Sequence, residues 1–198
     1  MNITLSDFIY TRDNALTPEF CQQVIDKFDS DSRSAKGMIG PDENVRVDLN
    51  VKDSLDLLIS DLPGWKSEDL VFFDSLNYHI KEYLSFNWLP EEVPDLYLSS
   101  ITDSGYQIQK TSPGAGYIWH DDDQFGEYVK KHGARWATYI WYLNDVKEDG
   151  CTEFVDGTKV QPEAGKILIF PACWPFIHRG YPPKSEVKYI VTGWMHAL

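Results

Sequence analysis

GYIWHDDDQF, residues 116–125, sets an apolar and aromatic stretch directly against one histidine and three consecutive aspartates. Read as a surface turn, this is a solvated acidic run. Read as the end of a β-strand, His120 and Asp122 stand two residues apart and share a face, because successive strand side chains point to opposite sides. That is the spacing of two metal ligands, and it turns Asp121 away. An HxD pair is weak evidence by itself, so its surroundings decide between the two readings.

From residue 106 onward the chain is strand-like. YQIQKT, GYIWH, RWATYIWYLN, TKVQP, GKILIFP and VKYIVTGW are short runs rich in β-branched and aromatic residues, bounded by Gly, Pro, Asp or Asn. SPGAG and DVKEDG read as turns, and residues 125–133 as a loop or a short helix. Six or more strands without intervening long helices predict an antiparallel sandwich or barrel. The expected fold is therefore mainly β within an α+β chain, a jelly roll (double-stranded β-helix) with helices packed outside it.

Those helices come first in the chain. Thr17 is an N-cap followed by Pro18 in the first turn, which predicts a helix through about Phe28 with Phe20, Val24, Ile25 and Phe28 on one face. SDSRSAKG ends it. Phe72, Leu76, Ile80 and Leu84 recur every four residues behind Glu68 and Asp69, predicting a second helix from Ser67 to about Ser85. His79 lies between its apolar positions and reads as structural. The 198 residues, 42% hydrophobic and 14% aromatic, fit one domain, with residues 1–96 as helix-rich support and 97–198 as the core.

Charge and cysteine usage narrow the partners. A net charge of −13 repels phosphate backbones and anionic lipid, so neither nucleic acid nor a membrane is an expected partner. No apolar run approaches the about eighteen residues of a membrane span, and MNITLSDFIYTRD lacks the pattern of an export signal. Cys21, Cys151 and Cys173 are odd in number and far apart, which argues against a disulfide framework and for a reducing cytoplasm. Nothing in the residues specifies an oligomeric state.

A third ligand for the HxD pair has to come from another strand, and His178 in FPACWPFIHRG follows the apolar strand KILIFP. Two imidazoles and one carboxylate on one triangular face leave three open positions, the arrangement that suits non-haem Fe(II) oxygen chemistry. Ten residues beyond His178, Lys188 shares a strand face with Ile190, Thr192 and Trp194. If that face is buried, the ammonium requires an anion, which implies an anionic small molecule beside the metal. If the strand is at an edge, Lys188 is an ordinary solvated lysine. Tyr142 alternates with Ile140 and Thr138 and can bring a phenol and a hydroxyl to the same anion.

In combination these blocks, YQIQKTSPGAGYIWHDD, RWATYIWYLND with DGCTEF, and VQPEAGKILIFPACWPFIHRGYPPKSEVKYIVTGW, resemble the core of the 2-oxoglutarate and Fe(II)-dependent dioxygenases of the prolyl 4-hydroxylase type over roughly residues 97 to 198. The resemblance implies that His120, Asp122 and His178 hold iron and that Lys188 pairs with the distal carboxylate of 2-oxoglutarate. It further implies that Tyr142 and Thr192 assist there and that Tyr117 and Trp194 line the pocket. The implied chemistry is a C–H hydroxylation using O2, with ascorbate as reductant. The substrate would be a prolyl residue of a peptide or protein, or free proline. Other readings are a small-molecule oxygenase of the same chemistry with another substrate, and a metal-binding jelly roll without turnover. Arg135, Trp141, Phe154, Trp174 and Arg179 are candidates for the rim, although residues of these types are more often core or solvated surface, and residues 34–54 and 125–133 are expected as selectivity loops. In one departure, Lys110 stands ten residues before the first implied iron ligand, where relatives often have tyrosine. This puts that contact in doubt and suggests an acidic or polar substrate group.

Overall fold

The computed structural model describes residues 3–40, 44–86 and 98–197. The rest of the expected support and core segments, and residues 41–43 of the first expected loop, lie outside the described residues. Helix α1 (Pro18–Ser30) starts where the capping argument puts it: the Thr17 side chain accepts from the Phe20 backbone N–H, and Cys21, Val24, Ile25 and Phe28 form its buried face. Helix α2 (Lys66–Phe86) buries Phe72, Leu76, Ile80 and Leu84. His79 is buried, and its Nδ1 lies 2.9 Å from the Tyr10 hydroxyl, a structural contact.

Among the described residues there are twelve strands: β1 (Tyr10–Arg12), β2 (Ala35–Lys36), β3 (Leu55–Leu58), β4 (Ile101–Asp103), β5 (Gln107–Thr111), β6 (Tyr117–His120), β7 (Ala134–Tyr142), β8 (Thr152–Phe154), β9 (Lys159–Val160), β10 (Ile167–Pro171), β11 (His178–Gly180) and β12 (Lys188–Ala197). A short helix, α3 (Glu127–His132), precedes β7. The larger sheet runs β1-β10-β7-β12-β5-β3-β2, with β4 also on β12, and the smaller runs β6-β11-β8-β9. Every pairing is antiparallel. The expected jelly roll is present. The front segment also does more than supply helices, since β1, β2 and β3 extend the larger sheet on both sides. Such two- to four-residue strands are too short to display a period of two.

Strand alternation sorts the interior into two layers. On β7, Tyr139 and Trp141 face α1 and α2 and join Trp65, Phe72 and Tyr106 in the main core. Ile140 and Tyr142 face the smaller sheet and pack with Phe154, Leu168, Phe170 and Phe176. Of the two readings open for Trp141, rim and core, the structure gives the core: its parity on the strand sends it to the helix side. Among the described residues no helix is long and apolar enough to cross a membrane.

The turn into β10 depends on Gly165. Its φ is +81°, and a Cβ there would lie 2.2 Å from the Leu16 carbonyl oxygen, whose residue also donates its N–H to Gly165 O. At Gly157, φ is +91° but nothing lies within 4 Å of the added atom. Gly157→Ala should thus cost only backbone strain, about 1 kcal/mol. Gly165→Ala adds a clash with fixed backbone and should cost at least about 2 kcal/mol more, of the order reached by core overpacking. Urea denaturation of the two variants measures the difference, and equal costs would refute the clash.

Candidate active site

The site is built where β6 meets β11. His120 and His178 are Cα partners across these strands, but the next pair is Tyr117 with Gly180, so β6 carries one extra residue in a bulge. Strict alternation would put Tyr117 and His120 on opposite faces. The bulge brings them to the same face, where their rings stack at 3.6 Å and 17°. Strand β6 ends at His120, and the chain beyond it is held by the Asp122 N–H donating to Ala172 O at 3.1 Å. Asp122 thereby turns inward while Asp121 is exposed.

His120, Asp122 and His178 offer ligand atoms that all lie within 4.8 Å of one another, the one such group among the described residues. Asp122 Oδ1 is 3.9 Å from His120 Nε2, and Asp122 Oδ2 is 3.6 Å from His178 Nε2. The Nδ1 atoms of both histidines face backbone carbonyls, Ile118 O at 2.7 Å and Phe176 O at 3.0 Å. With Nδ1–H donating there, each Nε2 lone pair is aimed into the triangle, the tautomer a divalent metal requires. Burial, reinforced by His178, pushes His120 down to about 4, so it is a neutral ligand at pH 7. Burial raises Asp122, but the two imidazoles and a 2.6 Å hydrogen bond donated by the Thr138 hydroxyl outweigh it and hold the carboxyl below its ordinary value. Donor set, tautomers and charge all fit a divalent cation.

The triangle opens on a cavity of about 200 Å³. Lys188, Ile190, Thr192 and Trp194 all line it, as the shared strand face predicts. Lys188 is 4% exposed, and its ammonium donates to Gly150 O at 3.0 Å without a carboxylate partner among the described residues. Burial pushes it down to about 8. Tyr117 and Trp194 both line the cavity, and the Trp194 ring stacks under the Arg135 guanidinium at 3.6 Å. Tyr142 stands one layer back: its hydroxyl lies 2.6 Å from Thr152 Oγ1, and Thr152 faces the cavity. The Thr192 hydroxyl donates to Tyr139 O at 2.9 Å.

Other expected positions resolve differently. Arg135 lines the cavity and donates to Asp122 O at 3.2 Å. Phe154 is fully buried against His178 and belongs to the core, because its strand faces inward at that residue. Trp174 is 73% exposed and does not line the cavity. Arg179 lies between the rings of Trp119 and Tyr181, each at 4.6 Å, and pairs with Glu153 at 2.6 Å, also outside the cavity. Lys110 points away, with Nζ 2.7 Å from Asp29 Oδ1; its neighbours Gln109 and Thr111, with Gln107, face in. The alternation of YQIQKT carries that signal. Lys52 and Ser54 reach the cavity from the end of the 34–54 segment expected as a selectivity loop, although nothing in the sequence singles out these two residues within it.

Two facing antiparallel sheets with a His/Asp/His triangle on the cavity between them define a jelly roll fitted to hold a divalent metal. Residues 106–196 match the 2OG-Fe(II) oxygenase superfamily. A protein of Acanthamoeba polyphaga mimivirus, named provisionally as a prolyl 4-hydroxylase, is 30% identical over 103 residues, 44% of this chain and 43% of that protein. The match thus spans less than half of the relative's length. The viral collagen prolyl hydroxylase of Paramecium bursaria Chlorella virus-1, solved with 2OG, superposes with a TM-score of 0.65 at 20% identity, covering 96% of this chain and 97% of that one. A Trichoplax adhaerens prolyl hydroxylase, solved with a hypoxia inducible factor oxygen degradation domain peptide fragment, gives 0.68 at 18% identity over 97% and 84%. A Pseudomonas putida prolyl-4-hydroxylase gives 0.64 at 17% identity over 95% and 92%. These structures share the fold.

The depressed Lys188 has a consequence for stability. Its folded value of about 8 lies below the ordinary 10.5, so between these pH values the unfolded chain binds more protons and stability rises with pH. At pH 7 the buried charge costs about 3 kcal/mol. Lys188→Met should therefore stabilise the ligand-free protein at pH 7 by about 1–3 kcal/mol, a gain that shrinks as pH approaches 10.5. Urea unfolding across this pH range checks it; destabilisation at pH 7 would show that the ammonium already has an anionic partner.

Proposed function

We propose that this protein is an Fe(II)- and 2-oxoglutarate-dependent hydroxylase that places one oxygen atom of O2 on a C–H carbon of a prolyl residue in a peptide or protein, or of free proline. The observation that carries the proposal is the buried, carboxylate-free ammonium of Lys188 in the same cavity as the His120, Asp122 and His178 triangle. A metal-binding protein without turnover has no use for an anion anchor beside open coordination positions. Bound iron and the keto acid supply the oxidation, in which 2-oxoglutarate and O2 become succinate and carbon dioxide as the substrate gains a hydroxyl.

The protein's own groups bind and orient. His120, Asp122 and His178 would hold the metal, with Thr138 fixing the carboxylate rotamer. Lys188 would receive the distal carboxylate of 2-oxoglutarate, helped by Thr192 and by the Tyr142 and Thr152 hydroxyl pair. Tyr117 and Trp194 wall the cavity, exclude water and limit where a substrate carbon can sit. No side chain has to move a proton. The chain works in this reading as one catalytic unit in the cytoplasm, with ascorbate as reductant.

The test begins with binding. Mn(II) should bind wild type, Asp121→Ala and Asp123→Ala alike and fail with Asp122→Ala. 2-Oxoglutarate should bind and raise the melting temperature only when Mn(II) is present. Lys188→Ala should weaken 2-oxoglutarate roughly a hundredfold, about 3 kcal/mol, whereas Lys184→Ala, an exposed lysine paired with Asp149, should match wild type. Mass spectrometry then screens peptides and amino acids for the gain of one oxygen. Equal 2-oxoglutarate affinity in the two lysine variants would remove the proposal's foundation.

A further inference from the structure

A second ammonium lines the same cavity. Gly180 sits so that a Cβ there would lie 3.6 Å from both Lys188 Nζ and Tyr117 Cβ. The Lys52 Nζ lies 5.7 Å from the centroid of the Tyr117 ring. Tyr117 thus has a buried lysine near its ring and another near its Cβ, and it stacks on His120 of the metal triangle.

The backbone fixes Lys52 there. Lys52 bridges Tyr117, the Asp53 N–H donates to Gly116 O and the Ile118 N–H donates to Val51 O, both at 3.0 Å, so the segment lies along β6. Lys52 is 6% exposed, and Asp56 Oδ2 at 2.6 Å is its one hydrogen-bond acceptor among the described residues. The other oxygen, Asp56 Oδ1, accepts from the Ser54 hydroxyl at 2.7 Å. Behind the group, an added Cβ on Gly37 would meet Ser54 Oγ at 2.5 Å and Lys52 Cε at 3.0 Å, so the chain closes it from that side. Lys52 and Ser54 line the cavity while Asp56 does not. An ammonium carries three N–H donors; Asp56 takes one, and two have no acceptor among the described residues.

Charge bears on what the cavity can take. The chain as a whole carries −13, yet the cavity lining sets Lys188, Arg135 and Lys52 beside only Asp121 and the metal-triangle residue Asp122. Once a dicarboxylate is matched with the metal and Lys188, the Arg135 guanidinium and the free donors of Lys52 still face the remaining space. Across the sheet Gln109 is the register partner of Asp56, and its amide donates to Gln107 Oε1, which leaves its own carboxamide oxygen to accept from an amino group.

Resting on the function proposed above, we infer that Lys52 is a specificity-determining residue that binds a carboxylate of the primary substrate. The substrate class is then a small carboxylic acid, a free amino acid or a peptide whose target residue is its C-terminus, and not an internal residue of a protein.

The experiment uses wild-type protein loaded with Mn(II) and 2-oxoglutarate. By calorimetry it is titrated with free L-amino acids, proline included, each paired with its carboxamide, and with a proline-containing peptide blocked at both ends. The variants are Lys52→Arg and the double Lys52→Met/Asp56→Asn, which neutralises both partners so that no lone charge is left buried. At least one acid should bind ten times more tightly than its amide and than the blocked peptide. The preference should vanish in the double variant and persist in Lys52→Arg, with 2-oxoglutarate affinity changed less than threefold in either. An acid and amide bound equally, no acid bound at all, the blocked peptide bound best, or the preference kept in the double variant would each overturn the inference. Absence of Mn(II)-dependent 2-oxoglutarate binding in the wild type would instead overturn the dioxygenase reading beneath it.

Discussion

The pairing of β6 with β11 is the constraint on which the rest of the site depends. These short strands belong to the smaller sheet, yet they place His120 opposite His178, and the bulge between them decides which residues can share the cavity. Removing the extra residue would restore strict alternation and turn either Tyr117 or His120 outward. The larger sheet contributes the complementary half. Strand β12 lies between β5 and β7, and its inward residues run in one row from Lys188 to Trp194 across from the histidines. Neither sheet holds a complete site; facing each other they bring a metal-ligand triangle and an anion anchor to one cavity.

That arrangement is held under electrostatic tension. Burial pushes both His120 and Lys188 toward their neutral forms, to about 4 and about 8. For the histidine, neutrality is what ligation requires. For the lysine it opposes the charge that an anion anchor needs, and an arriving carboxylate would reverse it. Without an anion at Lys188 this cavity is a place where stability is lower than the surrounding packing would allow, as is common where binding energy is reserved for a ligand. The aromatic layer of Trp65, Phe72, Tyr106, Tyr139 and Trp141 on the opposite face of the larger sheet supplies rigidity independent of that ligand.

Legibility in the sequence followed the length of the element and the range of the interaction. Both long helices and the strands β5, β7, β10 and β12 show their period over several residues, so their faces could be read in advance. Lys188 is legible for the same reason, being placed by strand parity, whereas Asp122 lies beyond the end of β6 and a backbone contact to Ala172, not alternation, turns it inward. Short strands such as β3 and β11 offer too few residues for a pattern and form because a neighbour supplies the hydrogen bonds, so His178 is legible only from the apolar strand that precedes it. Parity also settles two other positions: Trp141 and Lys110 are one residue out of step with the cavity-facing set. The bulge that places Tyr117 depends on a partner strand some sixty residues away, and nothing local to GYIWH marks it. For Lys52 and Ser54 the segment 34–54 is legible but the two residues within it are not, since tertiary contacts select them.

The two buried lysines show how far burial alone can be read as function. Both are almost fully enclosed, but their surroundings divide the electrostatic problem differently. Lys188 is left with a backbone carbonyl, so its charge is favourable only when a ligand brings an anion. Lys52 keeps Asp56 and is paid for in the empty state, so it can present donors without destabilising the fold. A site that must bind a co-substrate first and a primary substrate second can use this difference. The uncompensated cation gains most from the ligand that completes it, while the compensated one adds selectivity with little cost when vacant. Tyr117 between them separates the two subsites, and its stacking on His120 ties both to the position of the metal triangle.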